Sequence, residues 1–466
     1  MLMSVAVQPE LSGDVIVYRR RRNVELLLLI FAQLFGYFGW LLTHLNLYNK
    51  LPEDWLRAAI IWFGLGLVAH LVVRWRIPYT DPVILPSVFL LNGIGLAMIA
   101  RIDQIPDVPK TDAAMQLLWT VLGVGALIAA VNLLPDHRRL QRFPYLLFLT
   151  SLVLLLLPLT PLGIELNNAR IWISVHGYSF QPAEVAKIAL AIAFAAYFYE
   201  KRDVLALAGK RVWGISIPRA RDFIPIAIMW LIALMVMVGQ NDLGMAMLVF
   251  GLFTVMIYVA TQRKFWPILS GLLFAAAALG AYLFTSHVPR RVDSWLRPFD
   301  DLDRNWQIVQ AQFGFAWGGL FGRGWGEGRP GLTPLAKSDF IAAAVGEELG
   351  IVGLMAIILV YGLIVSRGLK AALLCPDGFG KLLAGGLSFI LALQVFAIIG
   401  GVTRLLPLTG LTTPFMSQGG SALVANWLLI AILMIISHRA RMPQAATATP
   451  QPVQAQGESV TEWIRR

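Results

Sequence analysis

Long unbroken runs of apolar side chains limit what this 466-residue chain can fold into. They come in blocks of sixteen to twenty-six residues, with approximate limits 24–44, 58–73, 82–100, 114–133, 143–160, 182–198, 223–239, 243–260, 265–286, 340–365, 382–402 and 421–437. At ~1.5 Å rise per residue, helices of that length match the ~30 Å hydrocarbon core of a bilayer. A transmembrane β-barrel is excluded, because its strands would be ~10 residues long and alternate in polarity. Only 14% of residues are charged and 58% are hydrophobic, against ~25% charged in soluble chains, which excludes a water-soluble enzyme. The expected fold is therefore all-α: a polytopic membrane protein of about twelve helices, the second block being the shortest. No cleavable signal peptide is read at the start, which is polar and leads into an apolar block too long for one.

Lys and Arg set the expected orientation. With the N-terminus and its Arg19–Arg22 run inside, 24 of the 38 Lys and Arg fall on the cytoplasmic side. Of the remaining 14, seven lie in one outer loop, about 287–339, and no other outer loop has more than two. The expected topology is N-in and C-in. The net charge of +11 then reflects loops facing anionic lipid, not nucleic-acid binding. The lone Cys375 excludes a disulfide framework or a multi-cysteine metal site. His44, His70, His137, His176, His287 and His438 show no metal-ligand spacing, so no metal site is expected.

The 287–339 loop is too long to be a bare connection. It is rich in Trp, Phe and Gly, and Trp306–Leu320 reads as an amphipathic segment at the membrane interface. Within its glycine-rich part, Arg323 and Arg329 could contact phosphate, because guanidinium forks match phosphate oxygens. The tail 441–466, rich in Pro, Gln and Ala, is expected to be disordered.

Ionisable groups in or beside spans cost ~2.5–3.5 kcal/mol each at mid-membrane and mark function unless they reach water. Glu184 and Lys187 follow Gln181-Pro182, where Pro can start a helix, and their i, i+3 spacing puts them on one face. That pair is either functional or an ion pair holding helices together. Asp242 opens the eighth block, and Glu347 and Glu348 lie about two turns into the tenth. Arg170 precedes the sixth block, and Asp300, Asp301 and Asp303 sit in the large loop. The topology puts all of them toward the outer surface. A transporter would place charges near the midplane, so an outer cluster suits chemistry on something in or above the outer leaflet.

Five stretches resemble the SEDS family (shape, elongation, division and sporulation; RodA, FtsW and SpoVE among its members). They are Asn168-Ala-Arg-Ile-Trp-Ile, Phe180-Gln-Pro-Ala-Glu-Val-Ala-Lys, Asn241-Asp-Leu-Gly, Ser338-Asp-Phe-Ile with Gly346-Glu-Glu-Leu-Gly, and Leu406-Pro-Leu-Thr-Gly through Ser417-Gln-Gly-Gly-Ser. The likeness covers roughly 82–440; Gly410-Leu-Thr-Thr-Pro-Phe is nearest to RodA-like elongation members. The resemblance implies a ten-helix glycosyltransferase domain over 81–440, preceded in 1–80 by a cytoplasmic N-terminus and two added helices. It implies polymerisation of lipid II on the outer face of the cytoplasmic membrane, inverting, in cell-wall elongation or division, beside a class B penicillin-binding protein.

By that resemblance the general base is an Asp in the pattern Pro-x-x-Asp-Pro-x-Gly-x-Gly-Tyr-Gln. Here the stretch Pro298–Gln307 is one residue shorter and lacks the second Pro and both glycines. Counting forward gives Asp301, counting back from Trp306 gives Asp300, and Asp303 is third. Arg170, Glu184, Lys187, Asp242, Asp339, Glu348, Ser417 and Gln418 are the candidate substrate contacts, with Arg170 and Lys187 holding the pyrophosphate, Glu184 orienting Lys187, and Lys187 near the outer end of a span at small desolvation cost. Gln418 stands where the family has Tyr. No cofactor is required, and a divalent cation assisting the pyrophosphate is left open. The competing readings are a lipid II flippase and a non-catalytic scaffold for the transpeptidase.

Overall fold

The computed structural model describes residues 20–105, 111–166, 169–175, 177–206, 208–212, 215–218, 220–284 and 287–443. Residues 1–19 and 444–466, which include most of the N-terminus and of the tail expected to be disordered, lie outside them. So do Asn168 and His176.

The apolar blocks fold into helices α1 Arg22–Tyr48, α2 Trp55–Arg76, α3 Ile84–Asp103, α4 Asp112–Leu133, α5 Pro144–Leu156, α6 Pro182–Ala206, α7 Ala220–Gly239, α8 Leu243–Thr261 and α9 Phe265–Phe284. After the large loop come α12 Ile341–Leu374, α13 Gly378–Val402 and α14 Gly420–Arg441. Ten of these are long and apolar enough to cross a membrane. At the fifth and seventh expected positions the apolar helices are shorter, Pro144–Leu159 and Ile224–Gly239. The second block, the shortest in sequence, belongs to a helix of 22 residues. The chain is thus a multi-pass helical membrane protein.

The large loop is not structureless. It holds α10 His287–Leu296 and α11 Trp306–Gly318. The segment read as interfacial, α11, packs on α12: Ile308, Val309 and Ala311 form a small second core with Phe340, Ala343 and Val402, while Phe313 and Trp317 stay exposed. Two small antiparallel sheets interrupt the helices, β1 Gly163–Leu166, β2 Ala169–Val175 and β3 Tyr178–Phe180 in one, β4 Ala208–Val212 and β5 Ile215–Pro218 in the other.

Helices α3, α6 and α14 are buried along most of their length, whereas α9 exposes Leu272, Leu279 and Leu283 in the manner of a lipid-facing helix. Around this core the N-terminal pair docks through small residues, which let backbones approach where lipid removes the usual hydrophobic drive. A Cβ on Gly36 of α1 would lie 2.7 Å from Gly93 Cα of α3. Polar locks hold the near end of the same seam. Arg22 pairs with Glu25 and donates to the Thr80 carbonyl, and Glu25 accepts from His70 of α2 at 2.8 Å.

Gly36→Leu is therefore expected to lift α1 off α3. Overpacking typically costs ~1–3 kcal/mol, so the thermal midpoint of the purified chain in detergent should fall, and a protease site placed in the 49–54 turn should become cleavable. An unchanged midpoint and cleavage pattern would show that the glycine seam does not hold this helix.

Candidate active site

One end of the bundle collects the charged residues singled out in the sequence. Asp242 is the N-cap of α8, its Oδ1 accepting the Met245 amide at 3.0 Å. Its other oxygen takes a 3.4 Å bond from Gln181 Nε2, just before α6. Burial pushes its carboxyl up to about 6. Arg291 of α10 lies in the field of both Asp242 and Asp339, and burial lowers its own pKa. Asp339, one residue before Phe340 at the start of α12, is also raised by burial, against a hydrogen bond with Ser338 and the charge of Arg291.

Arg291 and Asp339 border a cleft of about 320 Å³, lined also by Arg290, Arg304, Arg404 and Gln307, among others. Four arginines thus share a cleft with a single carboxylate. Arg404, in the left-handed region at φ 62°, donates to the Trp295 carbonyl at 3.1 Å, and Trp295 Nε1 returns a bond to the Arg404 carbonyl at 2.9 Å. That exchange clamps α10 to the end of α13. Asp339 was singled out in a sequence motif, whereas Arg290, Arg291 and Arg404 belong to none of the quoted stretches.

The aspartate turn stands beside the cleft. Asp301 is exposed, and its Oδ1 accepts the amide of Arg304, which lines the cleft. Its carbonyl accepts the Asn305 amide at 3.1 Å. Asp300 and Asp303 are exposed as well. Buried Asn305 fixes the turn, donating to the Pro298 carbonyl at 3.0 Å and accepting from Ser294 Oγ at 2.6 Å. Nothing in the sequence had marked Asn305.

Ser417 and Gln418 act through the backbone beside Asp339. Ser417 Oγ donates to the Ser338 carbonyl at 2.6 Å, and the Gln418 amide donates to the Lys337 carbonyl at 2.7 Å. Lys337 Nζ in turn reaches Asp103 of α3 at 2.5 Å and Asp112 of α4 at 2.6 Å. The 406–419 stretch is thereby stapled to the cleft wall whatever side chain stands at 418.

Glu348 is organised inward. It pairs with Arg101 of α3 at 2.9 Å and accepts the Gly326 amide at 3.2 Å, while Arg101 also donates to the carbonyls of Gly326 and Gly328. Glu347 accepts the amide of Arg329. Arg323 stacks on Trp317 at 3.8 Å and donates to its carbonyl at 2.8 Å, so it is engaged within its own loop. At the tip of that loop Trp325 abuts Gly39 of α1 and accepts from Asn46 Nδ2 at 2.6 Å. Helix α1 therefore touches the loop that pairs with Glu348.

Two candidate cations stand outside the arginine cleft. Lys187 is fully buried, bonded to Glu184 and, at 3.0 Å, to Gln394 Oε1. The low desolvation cost expected for it does not hold, because the ammonium lies inside the helix bundle. Arg170 is exposed on β2 and donates to the Thr160 carbonyl at 3.0 Å.

Among the described residues one group could hold a metal ion, His137, Cys375 and Asp377. Sequence spacing did not reveal it, since the fold brings residues 240 apart together. Its geometry is that of a helix cap: Asp377 accepts the Gly380 amide at 2.7 Å, His137 Nε2 at 3.0 Å and the Cys375 thiol at 3.3 Å. Burial and the Asp377 charge push the thiol up to about 12.

The chain belongs to the FtsW/RodA/SpoVE family: its family model, described as a cell cycle protein, matches residues 82–442. The peptidoglycan glycosyltransferase RodA of Mycobacterium tuberculosis (strain ATCC 25618 / H37Rv) is 47% identical over 99% of this chain and 98% of its own length. That span takes in α1 and α2. The stage V sporulation protein E of Bacillus subtilis (strain 168) is 34% identical over 76% of this chain and 95% of its own. Among solved structures, a chain from a study of polymerization and crosslinking by a peptidoglycan synthase complex aligns with TM-score 0.64 at 27% identity, covering 78% of this chain and 99% of that one. The Thermus thermophilus rod shape determining protein RodA aligns at 0.56 and 25% identity, covering 78% and 98%.

Removing one partner of a buried pair typically costs ~3–5 kcal/mol, whereas replacing both by apolar groups can be neutral. Arg101→Met alone should therefore unfold the purified chain at clearly lower temperature, and Arg101→Met with Glu348→Leu should recover part of the loss. The Lys187 pair is tested in the same way through activity. Glu184→Gln with Lys187→Met should retain glycan synthesis if the pair only holds α6 to α13, and lose it if the ammonium meets substrate.

Proposed function

We propose that this peptidoglycan glycosyltransferase of the bacterial cell membrane polymerises lipid II on the outer face, with the arginine cleft holding the pyrophosphate and Asp301 taking the acceptor proton. The observation that carries the reading is the cleft itself, four arginines around one carboxylate beside an aspartate turn. Glycosyl transfer needs a positioned base for the attacking hydroxyl. It also needs fixed positive charge where the lipid pyrophosphate leaves. Arg290, Arg291, Arg304 and Arg404 supply that charge in a half-open cleft, at lower desolvation cost than buried Lys187. With no covalent intermediate the anomeric centre inverts. The orientation is N-in and C-in, which puts the cleft outside; the distribution of Lys and Arg supports it.

The transpeptidase partner is a class B penicillin-binding protein. Support comes from the aligned synthase-complex chain, whose study concerns polymerization coordinated with crosslinking. The RodA relatives favour a role in elongation. A flippase would need a polar path through the midplane, whereas the arginines of the cleft sit together at one end of the bundle. The donor set of the cleft, arginines with one carboxylate, favours direct binding of phosphate and gives a divalent cation few ligands.

Purified protein on labelled lipid II, with and without its transpeptidase, tests the reading. Asp301→Asn should lose ~10²–10⁴-fold in polymerisation while complex formation persists, and Arg304→Gln should weaken it. Activity lost in Asp300→Asn instead would move the base by one residue. Normal polymerisation by single Asn variants at 300, 301 and 303 would remove the loop base and leave Asp339 as the carboxylate of the cleft. An inactive wild type with intact complex formation would favour the scaffold.

Orientation is checked separately by labelling cysteines placed at positions 303 and 210. Reagent confined to the outside should reach 303 and spare 210, and the reverse pattern would invert the topology.

A further inference from the structure

A second basic cleft lies at the other end of the bundle. It measures about 540 Å³ and is lined by Asp136, Arg138, Arg139, Gln141 and Arg142. The chain here is the 3₁₀ helix His137–Arg142 between α4 and α5. With ~3 residues per turn, residues three apart stand in line. His137 and Leu140 form the inward line, the first buried and the second packed on the core. Arg139 and Arg142 form an outward line, both exposed, roughly 6 Å apart along the axis.

The acidic groups nearby are committed elsewhere. Asp136 accepts the Arg138 amide at 3.0 Å and faces Arg439 at 3.8 Å, while Asp377 takes His137 and, at 3.4 Å, Arg138. Among the described residues that leaves Arg139 and Arg142 as the uncompensated charge of the cleft. Exposed apolar side chains flank it on both helices: Leu133 at the end of α4, and Phe143, Tyr145 and Leu146 at the start of α5. Because α4 is long enough to span and α5 returns from it, this connection lies where hydrocarbon gives way to water.

We propose that Arg139 and Arg142 bind the phosphate headgroup of an anionic glycerophospholipid in the adjoining leaflet, its acyl region lying against Phe143 and Tyr145. Guanidinium forks suit phosphate oxygens. Basic pockets beside spanning helices select acidic headgroups. The continuous apolar flank favours a lipid over free phosphate, which would gain nothing from it.

The test uses the full chain in phosphatidylcholine nanodiscs, with phosphatidylglycerol added, and reads the thermal midpoint together with retained lipid by native mass spectrometry. Phosphatidylglycerol should raise the midpoint and stay bound, and inorganic phosphate should do neither. The R139Q/R142Q variant should bind phosphatidylglycerol about thirty-fold more weakly while matching the wild-type midpoint in phosphatidylcholine alone. Equal lipid retention by wild type and variant would overturn the proposal, as would a variant already destabilised in phosphatidylcholine. An equal shift with inorganic phosphate would reassign the cleft to a free anion, and an equal shift with polyglutamate would reassign it to an acidic protein segment.

Discussion

The functional end of this molecule depends on a break in one helix and on what fills it. Gly350 sits inside α12 at φ 73°, ψ 179°, far from helical values. A break in a membrane helix strands backbone donors and acceptors that must be met by protein. Here the glycine-rich loop meets them: the amides of Arg323 and Gly324 donate to the carbonyls of Glu347 and Glu348, and those of Ile351 and Val352 donate to Gly319 and Leu320. The approach is so close that a Cβ on Gly322 would lie 2.2 Å from the Glu348 carbonyl oxygen, and one on Gly350 would lie 2.4 Å from that of Leu320. Both glycines have positive φ as well, so position and conformation each exclude a side chain. The Arg101–Glu348 pair then ties the filled break to α3.

This explains which parts were legible beforehand. Spans are one-dimensional features, and apolar runs located every long helix; α5 is shorter than its block because Pro158 falls in a 3₁₀ turn at its end, whereas α7 starts ahead of its block. Glu184 and Lys187 were readable as partners because i, i+3 spacing is local. Partners joined across the fold were not. Arg101 and Glu348 stand 247 residues apart and Lys337 and Asp103 stand 234 apart, so no window contains both. The excess of arginine in the large loop was visible as a departure from charge asymmetry. That it would line one cleft with Arg404, from a different connection, depends on contacts across the fold such as the Trp295–Arg404 exchange and the Gln312 bond to the Val402 carbonyl.

The same distinction separates charges that organise from charges left available. Glu348, Lys337 and Lys187 are each bonded into the protein at several points, and a buried charge so enclosed has little left for a ligand. Arg290, Arg304 and Asp301 instead retain exposed side chains at the rim of the cleft. Proximity of a charge to a membrane boundary, which the sequence reveals, does not decide between these fates. Burial does, and burial is a property of the assembled helices.

Helix α1 joins the two ends of the molecule. At one end Arg22 and Glu25 tie it to His70 and to Thr80, and beside them Asp81 pairs with Arg441 at the end of α14. At the other, Gly39 and Asn46 receive Trp325 from the loop that fills the break. Between them the Gly36–Gly93 crossing leaves little room for sliding. A helix of 27 residues, roughly 40 Å long, is thus fixed at both ends and at an intermediate crossing. Displacing it along α3 would have to move Trp325, and with it the loop whose backbone completes α12. Helix α1 is therefore a mechanical part of the candidate site's support, although none of its side chains lines the cleft.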